Sequence, residues 1–233
     1  MTPLVSFAER RVIIMNRTIT VKGTGNITVS PDYVVISMDV KSIDKDYEKA
    51  LNMTASKIDS MRRALVKIGF DKKALKTTRF DVDTEYESER DARGNYKSIF
   101  VGYSCENRVK IEFDLDNKLI IQTLVAISKC IAEPELSISF TVKDSAAVNE
   151  KLLESAAINA KNKAKLLCEA SGVNLGQLLS IDYNWGELNI YSQTDYCLEE
   201  KCLSLPVDAL ADMEIEPDDI RVNDSVTFVW EIL

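Results

Sequence analysis

From Tyr33 to Ile43 the chain reads YVVISMDVKSI, with Val34, Ile36, Met38 and Val40 alternating against Val35, Ser37 and Asp39. A period of two sends successive side chains to opposite faces, so this stretch predicts a strand with one buried face. Residues Arg17 to Lys22 alternate more briefly and predict a shorter strand before it. The period then changes. Tyr47, Leu51, Thr54, Ile58, Met61, Leu65 and Ile68 recur at steps of four and three, which places them on one stripe of a helix. Asp44 is the expected N-cap and Gly69 the expected C′ residue.

Strands are predicted next over Leu75 to Glu87 and Lys97 to Phe113, joined through the polar SERDARGNYK, where Gly94-Asn95 marks a hairpin tip. The alternation in SIFVGYSCENRVKIEFDL is long enough for the second strand to protrude or bend. Asp116 or Asn117 caps a helix carrying Leu119, Ile120, Leu124 or Val125, and Ile127. Glu135 to Asp144 reads as a strand with Leu136, Ile138, Phe140 and Val142 on one face. An Ala-rich helix follows from Ser145 to Ser171, with Ala156, Ala157, Ala160 and Ala164, and Gly172 ends it. Small residues let such a helix sit close on a sheet. QLLSIDYNW and SVTFVWEIL are the last two strands. The order ββ-α-ββ-α-β-α-ββ lacks strict βαβ alternation. It predicts an α+β fold, a largely antiparallel sheet with helices packed on one side.

Charge modifies this picture in one place. Between Glu187 and Asp224 eleven acids face only Lys201 and Arg221, a local balance of −9 against −8 for the whole chain. The segment reads as a solvated surface insertion between paired strands, with a metal or partner site as the alternative. At the other end, residues 1–16 read as an N-terminal arm, with Met15 a second candidate start. The arm's short apolar stretch is cut by Glu9, Arg10 and Arg11, with no basic region before it. That is unlike a secretory signal, and the expected compartment is the cytoplasm. Residues 17–233 are then expected to form a single domain. No window of eighteen apolar residues predicts a transmembrane segment. An acidic chain with a pI near 4.8 and no Lys/Arg run does not fit a nucleic-acid binder.

Candidate chemistry begins at KGTGNITVSPD, Lys22 to Asp32. A dinucleotide fingerprint needs a third glycine where Thr28 stands, and then a helix whose N-terminal N–H groups receive the pyrophosphate. Here Pro31 and a strand follow, and no Gly-Lys-Ser/Thr completes a Walker loop. Gly23 and Gly25 therefore read as a turn between strands, where glycine permits positive φ. Asp81, Asp83, Glu85 and Glu87 alternate and share a face. Such a row is the wet side of a half-buried strand or a guarded edge, with cation binding as the alternative. Histidine is absent, which removes the commonest general base and zinc ligand. Of five cysteines, Cys105 and Cys168 read as core or near-core thiols. Cys197 and Cys202 are near in sequence but lack the second pair, such as Cys105 with Cys130, that a zinc site would need close by. No Gly-x-Ser-x-Gly elbow occurs. A Ser/Lys or Tyr/Lys pair stays open. No catalytic, cofactor-binding or metal-ligating residue is assigned, and no cofactor is expected.

Four stretches carry a family resemblance: ITVKGTGNITVSPDYVVISMDV, FVGYSCENRVKIEFDLDNKLIIQTL, LSISFTVKD and AINAKNKAKLLCEASGVNLGQLLSID. In this order the chain resembles the SIMPL-domain family, a domain of unknown function. That family includes bacterial periplasmic immunogenic proteins, oxidative-stress-defence proteins and a mammalian protein that binds an interleukin-receptor-associated kinase. The resemblance implies an α+β fold, homo-oligomer formation or a protein partner, a link to stress or envelope physiology, and no established enzymatic activity. The expected function is that of a non-enzymatic self-assembling or partner-binding protein. The alternative is a small-molecule-binding protein or cryptic enzyme with a pocket between helices and sheet.

Overall fold

The computed structural model describes residues 17–90, 95–130, 132, 134–184, 186, 188–198 and 215–233. The expected N-terminal arm at 1–16 and Gly94 of the hairpin tip lie outside them. The elements are β1 (Thr18–Val29), β2 (Tyr33–Asp44), α1 (Tyr47–Lys67), β3 (Lys76–Arg90), β4 (Tyr96–Asp114), α2 (Asn117–Ser128), β5 (Glu135–Thr141), α3 (Ser145–Ala170), β6 (Leu175–Asp182), β7 (Tyr191–Leu198) and β8 (Ile220–Ile232). The class is α+β, as the alternation of periods predicts. The strands fall into two antiparallel sheets, ordered β1-β8-β6 and β3-β4-β2-β5-β7.

The order contains one strand more than expected. β7 lies inside the acidic insertion and pairs with β5, from Leu136 opposite Leu198 to Ser139 opposite Asp195. Tyr191, Thr194 and Tyr196 suit a pleated edge strand, and the acids around them obscured that signal. Residues 199–214 of the insertion lie outside the described residues.

The chain divides into two compact units. One takes in Thr28–Ser145 and Ile190–Arg221. Here β2 is the central strand, paired with β4 on one side and β5 on the other. The alternation read from the sequence holds: Val34, Ile36, Met38 and Val40 are buried together. α1 packs on β2 and β4 and against α2. Met61, Leu65, Ile111, Ile120 and Phe140 are fully buried in the same core, each contributing about 1.5–3 kcal/mol. The N-cap of α1 is Asp46, whose carboxylate accepts from Lys49 N at 3.1 Å. The expected cap, Asp44, instead accepts from Asp46 N at 2.8 Å, one step before the helix. Asp116 caps α2, accepting from Lys118 N and Leu119 N. Gly69 follows α1 with φ 106°, as a C′ glycine does.

The other unit runs to Ile27 and adds Ala146–Asn189 and Val222–Leu233. Its sheet has β8 in the middle, and Val226, Phe228 and Trp230 pack with Val21 and Ala156, Ala160 and Ala164. Gly23 and Gly25 do not form a turn here. Both lie inside the continuous strand β1, and neither has positive φ; among the described glycines only Gly69 and Gly172 do. Their role is steric. A Cβ on Gly23 would stand 2.2 Å from the Ala156 carbonyl oxygen and 2.7 Å from the Ala160 Cβ. One on Gly25 would stand 2.1 Å from the Leu152 carbonyl oxygen. The missing side chains let the α3 backbone rest directly on β1, facing the alanine stripe. Thr24 N then reaches Asn159 Oδ1 at 3.1 Å.

Gly23→Ala and Gly25→Ala are each expected to destabilise the protein by about 1–3 kcal/mol through overpacking. That corresponds to about 2–4 °C of melting temperature per kcal/mol for a chain of this size. Thermal and urea denaturation measure it. Were these glycines merely turn residues at negative φ, alanine would be neutral or stabilising, so unchanged melting refutes the close-packing account.

Candidate functional site

The two longest strands, β3 and β4, form one hairpin whose two faces differ in chemistry. Their register sets Phe80 opposite Asn107, Val82 opposite Cys105, Thr84 opposite Tyr103 and Tyr86 opposite Phe100. A register shift between Glu85 and Tyr86 skips Val101 on β4. The bulge brings Phe100 onto the same face as Tyr103, three residues away, which plain alternation would forbid. Gly102 sits beside it, where a Cβ would stand 2.7 Å from the Asp44 carbonyl oxygen.

The result is a file of rings. Tyr47, the first residue of α1, meets Tyr103 edge-on at 5.6 Å between centroids; Tyr103 meets Phe100 at 5.4 Å; Phe100 meets Tyr86 at 5.7 Å. Further out, the Arg90 guanidinium lies over the Tyr96 ring at 5.7 Å. Such contacts contribute about 0.5–1.5 kcal/mol per pair beyond area burial. The rings remain in water nonetheless: Tyr86 is 57% exposed, Phe100 38% and Tyr96 75%. This face continues the core side of the sheet, since Cys105 and Val109 further along β4 are buried. Beyond Tyr47, no described helix covers it.

The opposite face is charged. Asp81, Asp83, Glu85 and Glu87 do share it, as their alternation requires. Two of the four are neutralised locally: Arg79 pairs with Asp81, and Lys41 on β2 pairs with Glu85. Lys41 also reaches Glu106 at 3.0 Å, directly across the β2–β4 register. These two carboxylates hold the Lys41 ammonium above its ordinary pKa, the Glu85 hydrogen bond being the larger cause, and Lys41 in turn holds Glu85 below the usual carboxylate value. Next along the face, Arg108 makes a two-pronged pair with Asp39 at 2.7 and 2.9 Å, which raises the guanidinium pKa further. A polar hollow of about 280 Å³ lies among these groups. Its charges answer one another, and Lys57 Nζ donates to the Lys41 carbonyl at 2.9 Å. No lone acid or base is left there poised for proton transfer.

Among the described residues no three Cys, Asp or Glu side chains converge to hold a metal ion. Cys105 and Cys168 are buried free thiols, as expected. Cys130, which no sequence pattern marked, is a half-buried free thiol whose pKa burial pushes up. The side chain of Cys197 and all of Cys202 lie outside the described residues. A groove of about 710 Å³ runs between α1 and the start of the hairpin, lined by Leu51, Thr54, Ile58, Phe80 and Asn107. It is the place where a pocket between helix and sheet was expected. No described helix is long and apolar enough to cross a membrane.

The aromatic file was not legible beforehand, because the bulge breaks the parity that would place Tyr103 and Phe100 together. The only sequence signal was the unusual length of the alternation through Ser98 to Leu115.

Comparison with known proteins adds the following. The SIMPL family model, described as a protein of unknown function (DUF541), matches residues 19–230. The chain is 25% identical over 190 residues to the 26 kDa periplasmic immunogenic protein of Brucella abortus, covering 76% of this chain and 71% of that protein. It is equally similar to the protein of the same name from Brucella melitensis, over the same shares. Both relatives are named as periplasmic, so the cytoplasmic expectation finds no support in them.

The Lys41–Glu85 pair sets a pH signature. A carboxylate held below its ordinary value contributes stability that is present above 4.5 and fades as pH falls through the lower folded value. An ammonium held above 10.5 contributes stability that fades as pH rises beyond that point. The melting-temperature gap between the wild type and Glu85→Gln is therefore expected to be constant near neutrality and to close at both extremes. It is also expected to shrink in high salt, because the pair is exposed. A gap that widens in acid contradicts the assigned pairing.

Proposed function

The chain belongs to the SIMPL family, and from that premise we propose that it is a non-enzymatic protein that associates with further copies of itself through the aromatic face of the β3–β4 hairpin. The observation that carries this reading is the file Tyr47–Tyr103–Phe100–Tyr86, an apolar sheet face lying in water. Contiguous exposed apolar surface of this kind marks an interaction site in a folded protein. Tyrosine and phenylalanine are also the residues enriched at interface centres.

Three further features support the reading. The sequence contains no histidine, the charges in the polar hollow satisfy one another, and the relatives' printed names carry no catalytic activity. The family match over 19–230 supports taking residues 17–233 as one SIMPL domain made of two units. The relatives' names bring the periplasm to this chain as the setting in which its role is to be sought. A link to stress or envelope physiology is proposed on the family resemblance alone.

Size-exclusion chromatography with light scattering tests the association. At tens of micromolar the wild type is expected above monomer mass. Tyr86→Ser with Phe100→Ser is expected to shift it to the monomer while leaving the melting temperature nearly unchanged, since both rings are solvent-facing. Loss of one such aromatic anchor typically weakens an interface by about 2 kcal/mol, close to thirty-fold. A wild type that stays monomeric at that concentration sinks the proposal.

A further inference from the structure

A second surface, on other elements, points to a different kind of contact and stands whether or not the hairpin associates. α1 and α2 pack against each other, and the outer side of their junction holds a groove of about 550 Å³. Its floor is apolar: Ala64 and Ile68 from α1; Ile121, Val125 and Ala126 from α2. The outward side of a helical layer is ordinarily polar, so an open apolar strip there calls for an occupant.

The rim specifies the charge of that occupant. Arg63 and Lys67, one turn apart on α1, and Lys129 at the C-cap of α2 all line the groove, and no acid does. In a chain of net charge −8 this is a local reversal of sign. Arg63 has one distant partner, Asp59 at 3.9 Å. Lys67 and Lys129 form no ion pair among the described residues. The partner surface must therefore be apolar along its middle and anionic along its sides.

The layout of the cations separates two ligand shapes. A single-headed amphiphile brings one anionic group and would engage one end of the groove. Here cations stand on both helical walls, and the stretch from Ser60 to Ile68 gives a floor about 12 Å long at the helical rise. The space holds about three leucine-sized side chains at protein packing density. Two turns of an amphipathic helix present that set, with acids flanking it at neighbouring positions.

We propose that the α1–α2 groove is a docking site for an acidic amphipathic helix of a partner protein, with apolar anchors seated over Ala64, Ile68 and Val125 and carboxylates paired to Arg63, Lys67 and Lys129.

Cys130 supplies a reporter inside the site. Its thiol donates to the Ala126 carbonyl at 3.2 Å and lies 3.8 Å from the Ser60 carbonyl oxygen, on the groove wall. A bound helix would cover it.

The test uses the full chain and two fluorescein-labelled peptides of about fourteen residues, four helical turns. Both carry leucine at i, i+3, i+4 and i+7; one has glutamate on its flanks and the other lysine. Fluorescence anisotropy reads affinity, and alkylation by iodoacetamide, resolved for Cys130 by peptide mapping, reads location. The glutamate peptide is expected to bind about ten-fold tighter than the lysine peptide, to weaken as salt rises, and to slow Cys130 alkylation. Lys67→Glu with Lys129→Glu, both exposed positions checked by their melting curves, is expected to reverse the preference. Equal binding of the two peptides, no binding of either, or binding that leaves Cys130 alkylation unchanged overturns the proposal. So does protection of Cys130 by sodium decanoate but not by the glutamate peptide, which would assign the groove to a small amphiphile.

Discussion

The form of the larger unit follows from a mismatch of lengths. Strand β4 has 19 residues and α1 has 21. At about 3.3 Å per residue the strand spans roughly 63 Å, while at 1.5 Å per residue the helix spans about 31 Å. A helix laid on this sheet cannot cover the full length of its apolar side. α1 begins at Tyr47, packs that ring on Tyr103, and leaves the face beyond it to water. The sheet is continuous across this limit, because β2 holds β4 in unbroken antiparallel register from Tyr33–Asp114 to Asp44–Tyr103. The covered half is core. The uncovered half keeps the same apolar side and becomes a surface.

In the smaller unit the constraint is one of distance. Gly23 and Gly25 lie under the Leu152 and Ala156 carbonyls, and Ala156, Ala160 and Ala164 form the helix face that meets them. Neither partner works alone. Alanines on α3 reduce the bulk from above, but only a strand without Cβ atoms lets the backbones touch. The alanine stripe was read correctly as a means of close approach, and the glycines were read as a turn, because sequence shows which residues are small without showing what they are small against.

That distinction runs through the rest of the comparison. Patterns that depend on one element alone were legible: the alternation of β2, the stripe of α1, the C′ glycine at Gly69 and the end of α3 at Gly172. Features set by a neighbouring element were not. Strand β7 exists because β5 offers it an edge, although the local composition reads as solvated loop. The file Tyr86, Phe100 and Tyr103 depends on a bulge in the β3–β4 pairing, a property of two strands. Asp46 and Asp44 both accept backbone hydrogen bonds at the head of α1, and residue type alone could not order them. The groove between α1 and α2 likewise belongs to no single helix, and the cations on its rim come from both.

The two faces of the hairpin also limit how such a surface can be used. β3 lies at the edge of its sheet, and an edge of 15 residues is a template for pairing with another chain. Pairing of β3 with β3 from a second copy would bring two rows of Asp81, Asp83, Glu85, Glu87 and Glu89 onto one face. Arg79 and Lys41 neutralise only part of each row. Like charges opposed across a strand pair are destabilising, and the register shift near Thr78 further spoils the edge. Open-ended growth along the sheet is thereby disfavoured, while the aromatic side stays accessible. Contact through a face, unlike pairing at an edge, can close into a finite symmetric assembly. The acidic row, which looked at first like candidate chemistry, serves better as the element that channels association toward the rings.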